Sequence, residues 1–237
     1  MTLVIGHRGS PPAPENSIAG IHRAADLGAD AVELDLRATR QGEVVLEHDA
    51  VPLRTSWLPV PVGWLGTGLA TRVPMRGGGR RATLVAALEA CAERELLPVL
   101  DLKEPGVAGP VGRALEEAGP SDAVVWSSHA DALVELGRVA PGHRRALLDG
   151  HPPRDPDRQI VEAAELGVEG VNLPVPRLDA ARAAAAAAAG LELWSGVGSL
   201  AELDALAELL TQGIELAGFT TDHAAEARRA VDRSPRD

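Results

Sequence analysis

At 237 residues with 45% hydrophobic side chains, the chain can bury a substantial core and lies within the range of one α/β barrel, so a single domain over 1–237 is expected. Its 23 basic and 34 acidic residues give a formal charge of −11, which excludes a nucleic-acid backbone as partner, because binding that polyanion needs a basic surface. One cysteine, Cys91, excludes an internal disulfide, and the absence of any apolar run of about 18 residues excludes a helical membrane span.

The N-terminus has no basic leader and passes straight into an apolar run at 3–5, so an intracellular, cytoplasmic protein is expected. Further strand-like runs follow at 31–36, 44–46, 98–102, 123–126, 145–148, 170–173, 191–194 and 217–220. Helical patterns fill most of the gaps, at 17–27 with a stop at Gly28, then at 83–94, 130–139, 158–166, 178–189 and 200–210. This βα alternation predicts parallel strands. Only a short turn around Arg40, Gln41 and Gly42 separates the second run from the third, too little for a parallel crossover, so 44–46 reads as a hairpin partner. Eight strands remain, the number a (β/α)8 TIM barrel needs. The Gly- and Pro-rich stretch 59–81 reads as a loop excursion, and Cys91 falls on the apolar stripe Leu84, Ala87, Leu88 of a predicted helix.

In such a barrel the chemistry sits at the C-terminal strand ends. The first strand closes on His7, Arg8 and Gly9, and the prolines that follow stiffen a loop in which Asn16 or Ser17 can cap the next helix. Arginine offers a donor fork suited to phosphate oxygens, and histidine moves protons near neutral pH. In Val32-Glu33-Leu34-Asp35-Leu36 the period of two puts both carboxylates on one face. Buried side by side they repel and need a cation, and hard oxygen ligands suit Mg²⁺ or Ca²⁺. His48 follows the hairpin run, and Asp101 with Lys103 repeats the alternation, offering a third acid ligand and a cation for phosphate charge. The remaining histidines, His22, His129, His143, His151 and His223, lack acid partners at metal-binding spacing and read as surface or structural residues.

Taken in order, His7-Arg8-Gly9, Pro14-Glu15-Asn16-Ser17, Glu33-Leu34-Asp35, His48-Asp49 and Asp101-Leu102-Lys103 resemble the glycerophosphodiester phosphodiesterase family. Trp126-Ser127-Ser128, Asn172, the 191–194 strand and Thr221-Asp222 look like that family's later strand ends. The resemblance implies a TIM barrel that cleaves small-molecule glycerophosphodiesters to sn-glycerol 3-phosphate and an alcohol. It implies a divalent cation, Mg²⁺, Ca²⁺ or Mn²⁺, held by Glu33, Asp35 and Asp101, with His7 and His48 as acid and base and with Arg8 and Lys103 on the phosphate. The sequence departs from the family at Asp101, where the third ligand is usually Glu, and at Ser195-Gly196-Val197, where Thr-Val-Asn is usual. Two other readings stay open: a phospholipase D-like or phosphoinositide-cleaving barrel acting on lipid, and a catalytically silent barrel that binds phosphorylated ligands. Because the chain is acidic overall and only 2% aromatic, no stable membrane association is expected, and the oligomeric state is open.

Overall fold

The computed structural model describes residues 2–233. Among them are nine strands, β1 (Leu3–Gly6), β2 (Ala31–Ala38), β3 (Val44–Leu46), β4 (Leu97–Leu102), β5 (Val124–Ser127), β6 (Arg144–Leu147), β7 (Gly170–Asn172), β8 (Glu192–Val197) and β9 (Gly218–Thr221). The helices are α1 (Ile18–Asp26), α2 (Thr67–Ala70), α3 (Leu84–Glu93), α4 (Ala108–Ala118), α5 (Ala130–Val139), α6 (Pro156–Leu166), α7 (Ala180–Ala188), α8 (Leu200–Thr211) and α9 (Ala224–Arg233). Eight strands pair in parallel in the order β1-β9-β8-β7-β6-β5-β4-β2, and β1 pairs with β2 to close the ring. The expected (β/α)8 barrel is therefore present. Strand β3 hangs antiparallel on the end of β2, Leu36 opposite Leu46, as the short turn between them requires.

Alternation along each strand divides the core. Outward residues such as Val32, Leu34, Leu36, Leu100 and Leu102 pack under the helices, while Ile5, Ala31, Val99, Val124, Trp126, Ala146 and Trp194 fill the barrel itself. Trp126 and Trp194 meet edge to face, 5.5 Å between ring centroids, so a chain with few aromatics places two of its four tryptophans at the centre of the barrel. Cys91 is buried on α3, and burial pushes its thiol up to about 12, which keeps it protonated and unreactive.

Besides the short α2 inside the excursion, two barrel helices escape the sequence pattern. Pro105, Gly106, Gly109, Pro110 and Gly112 punctuate the region of α4 like a loop, yet Pro110 lies in the first turn, where its missing N–H costs nothing. Gly112 is needed for a close crossing, since a Cβ there would come within 2.8 Å of Val139 Cγ1 on α5. In α9 the buried positions are Ala224 and Ala227 among charged residues, too small to register as an apolar stripe. The excursion contains a short 3-10 turn, Val62–Trp64, and helix α2, and is tied back by the bridges Ser56 to Met75 and Pro74 to Arg80.

Candidate active site

The site assembles where β1, β2, β4 and β9 end. Strands β2 and β4 run in register with Asp35 opposite Asp101, and Glu33 lies two residues earlier on the same face. Glu33, Asp35 and Asp101 are all buried, and each offers a carboxylate oxygen within 4.8 Å of the others. Among the described residues these three are the group that could hold a metal ion. The donor set is all oxygen, which fits a hard divalent cation.

The protein's own cations already press on this cluster. Lys103 Nζ lies 2.8 Å from Asp35 Oδ1 and also bonds Asp101, and Arg8 Nε lies 3.1 Å from Asp35 Oδ2. Burial raises the Asp35 carboxyl, but the Lys103 and Arg8 charges outweigh it and hold the group at about 2. Glu33 has no such cation in contact. Burial, and then the charge of Asp35, push it up to about 8, and burial pushes Asp101 up as well. A divalent cation among them is what would let all three acids ionise together.

The loop after β1 is shaped by backbone as much as by side chains. Arg8 and Asn16 adopt left-handed conformations with φ of 53° and 52°, and Asn16 N donates to Arg8 O at 2.8 Å. Gly9, with φ of 94°, passes so close to the first turn of α1 that a Cβ would sit 2.6 Å from the Gly20 backbone. Between Asn16 and Ser17, it is Ser17 that caps α1, accepting from Gly20 N. Asn16 instead clasps Asp35: its amide donates to Oδ2 at 2.7 Å and its Oδ1 accepts from Asp35 N at 3.0 Å. Arg8 N donates to Glu33 Oε2 at 3.0 Å, so the strained loop fixes both acids of β2.

Each half-exposed histidine leans on an aspartate. His7 Nδ1 lies 3.0 Å from Asp222 Oδ1, just after β9, and His48 Nδ1 lies 2.7 Å from Asp49 Oδ1. Burial lowers the His7 pKa, but the Asp222 hydrogen bond and the charge of Glu33 overcome it, and the net shift is upward. His48 stands near enough to Asp35 and Asp101 for its charge to lower both. Arg54 bonds Asp49 Oδ2 at 3.1 Å and also Glu15, whose carboxylate reaches Arg8 Nη1 at 3.5 Å. His7, Arg8, Ser10, Glu15, Arg54 and Asp222 line a cleft of about 300 Å³.

All seven sequence-predicted residues, His7, Arg8, Glu33, Asp35, His48, Asp101 and Lys103, thus fall in one interacting neighbourhood. Of the remaining histidines, none joins the acid cluster; His22 and His143 face Glu93 and Glu116 at 3.9 Å. The sequence marks Asp222 only as a strand end and Asn16 only as a possible cap, and it gives Arg54 no part; their contacts with His7, Asp35 and Asp49 appear only in the structure. Asp222 is 215 residues from His7 in sequence, and only ring closure brings the two together.

The Glycerophosphoryl diester phosphodiesterase family model matches residues 7–62, which hold the loop, the β2 acids and His48. A glycerophosphodiester phosphodiesterase of Caldanaerobacter subterraneus subsp. tengcongensis is 31% identical over 62% of this chain and just under two thirds, 66%, of that protein. Glycerophosphodiester phosphodiesterase 1 of Bos taurus is 53% identical over a short stretch, 22% of this chain and 16% of that protein. Among solved structures, an Oleispira antarctica phosphodiesterase in complex with the product sn-glycerol-3-phosphate superposes with a TM-score of 0.84, covering 98% of this chain and 97% of that one. At 23% identity that likeness speaks for the fold.

Proposed function

The chain belongs to the glycerophosphodiester phosphodiesterase family, and from that premise we propose that it hydrolyses glycerophosphodiesters to sn-glycerol 3-phosphate and an alcohol with a divalent cation. The observation that carries the reading is the buried cluster of Glu33, Asp35 and Asp101 flanked by two aspartate-buttressed histidines. The three acids hold the cation, Mg²⁺, Ca²⁺ or Mn²⁺. When bound it supplies charge stabilisation to the phosphoryl oxygens as the ester bond breaks.

The residues do the rest. A carboxylate can only accept, so Nδ1 of His7 and of His48 carries the proton toward Asp222 and Asp49, and Nε2 of each ring is left to exchange one with substrate. One histidine takes the proton from the attacking oxygen and the other returns one to the leaving alcohol, a division worth about 10²–10⁴-fold per group. Arg8 and Lys103 place positive charge beside the phosphate, and Asn16 keeps Asp35 oriented. The proposal sets this work in the cytoplasm on a free small molecule. No helix among the described residues is long and apolar enough to cross a membrane.

The test is to strip the purified protein with chelator and restore Mg²⁺, Ca²⁺ or Mn²⁺ one at a time against a panel of glycerophosphodiesters. Release of sn-glycerol 3-phosphate that vanishes on stripping and returns with a cation is expected. Full turnover in chelator, or a free phosphorylated head group as product, would overturn the reading.

A further inference from the structure

The composition that argued against a lipid surface conceals a local exception. Residues 50–82, between the end of β3 and the start of α3, contain five arginines, Arg54, Arg72, Arg76, Arg80 and Arg81, and no aspartate or glutamate. Arg81 is buried against Glu47 and Arg54 is paired at the cleft, but Arg72, Arg76 and Arg80 are exposed, and no acid pairs with them among the described residues. The same segment carries Val51, Leu53, Trp57, Trp64 and Leu69, five of the nine large apolar side chains exposed among the described residues. Trp57 is 73% and Trp64 74% exposed, and the Arg76 guanidinium stacks 3.6 Å over the Trp57 ring.

The segment adjoins the site. Arg54, three residues before Trp57, lines the catalytic cleft and bonds Glu15 of the β1 loop. Arg76 N donates to Thr55 O at 2.7 Å, and the neighbouring Gly77 comes up against Pro14 of the same loop. Trp64 ends a 3-10 turn whose next residue, Leu65, accepts from Arg40 N just past β2, so it too lies at the C-terminal rim of the barrel. Tryptophan and arginine on an otherwise acidic protein, at the mouth of one cleft, form a combination suited to a water–lipid boundary. The indole ring settles at head-group depth, and the guanidinium meets lipid phosphate.

We propose that the 50–82 segment docks the barrel mouth on the surface of an anionic phospholipid bilayer. Charge decides among the possible occupants. A symmetric contact with a second copy would set this patch against itself, arginine facing arginine. The acidic body of the protein does not forbid the contact, because charges farther than about 8 Å from the surface are screened at physiological ionic strength. The proposal concerns binding alone, so it stands or fails apart from the hydrolytic reading.

Full-length protein is sedimented with phosphatidylcholine vesicles with and without phosphatidylglycerol, and its tryptophan emission is followed with bromine-labelled lipid. Trp126 and Trp194 are buried in the barrel, so quenching reports on Trp57 and Trp64. Co-sedimentation with the anionic vesicles only, weakened by salt, with quenched emission, is expected. Each exposed arginine should contribute roughly fivefold, so the triple Arg72→Gln, Arg76→Gln, Arg80→Gln variant should bind about a hundredfold more weakly. Trp57→Ala with Trp64→Ala should abolish quenching. Both variants touch exposed loops, and unchanged thermal unfolding and turnover of a soluble diester confirm that they are folded. Failure to sediment with anionic vesicles, equal binding to neutral ones, or self-association that the tryptophan variant removes would overturn the proposal.

Discussion

At the scale of single residues, the site is held by carboxylates that serve opposite purposes. Asp35, at about 2, stays ionised because Lys103 and Arg8 compensate it, while Glu33, pushed by burial to about 8, does not. Asp222 plays a third part, since its carboxylate lifts the His7 pKa. A raised histidine pKa means that this pair stabilises the fold fully below the unfolded value of roughly 6.5 and loses that contribution as pH rises through the folded value. Both groups are part-exposed, so the effect on stability stays below about 1 kcal/mol. Activity should show it more clearly. Asp222→Asn is expected to move the His7 ionisation to lower pH, in the pH–rate profile and in the imidazole NMR titration. An unmoved titration would show that Asp222 does not set it.

At the scale of elements, two devices keep the β1 loop and the excursion in place. Gly9 is the first: Gly9→Ala places a Cβ against the α1 backbone at positive φ, and a loss of at least about 2–3 kcal/mol in denaturant unfolding is expected. The second is the fully buried pair Glu47 and Arg81, 2.8 Å apart, with Thr55 donating to the same carboxylate and Arg81 donating to Ala70 O on α2. Arg81→Leu strands a buried carboxylate and should cost roughly 3–5 kcal/mol, whereas replacing both partners with apolar residues should cost much less. A double variant as unstable as the single one would contradict that account. The elements the sequence hid, α4 and α9, follow from the same physics. Their packing relies on glycine and alanine, so close approach rather than a broad apolar face holds them, and periodicity does not register it.

At the scale of the whole molecule, the ring must close before the site exists. Asp30, at the start of β2, accepts from Val4 N at 2.8 Å and bonds Arg228 on α9, tying the last helix to the first strands across 198 residues of sequence. The proposed cation site spans β2 and β4, so cation binding there should stabilise the complete barrel. At a hundredfold excess over its Kd, a cation that binds only the folded state adds about 2.7 kcal/mol, or roughly 5–10 °C in Tm for a domain of this length. Calorimetry should show that rise in the native protein and its loss in Asp101→Asn. A rise that persists in the variant would put the cation elsewhere.

The sequence by itself determined the barrel and the local pairs of chemistry, because both depend on short-range periodicity. Alternation puts Glu33 with Asp35 and Asp101 with Lys103 on shared faces, and regular βα spacing leaves few other folds. It offered Arg8 and Lys103 as cations for the phosphate, a role they would share with their ion pairs to Asp35 and, for Lys103, to Asp101. Only the tertiary structure decided which pairs meet. Parallel register sets Asp35 beside Asp101, ring closure brings Asp222 to His7, and folding back of the chain after β3 brings Arg54 to Glu15. The exposure of Trp57 and Trp64 belongs to the same class. A tryptophan reads as core from sequence alone, and whether it is buried depends on which residues the rest of the chain lays over it.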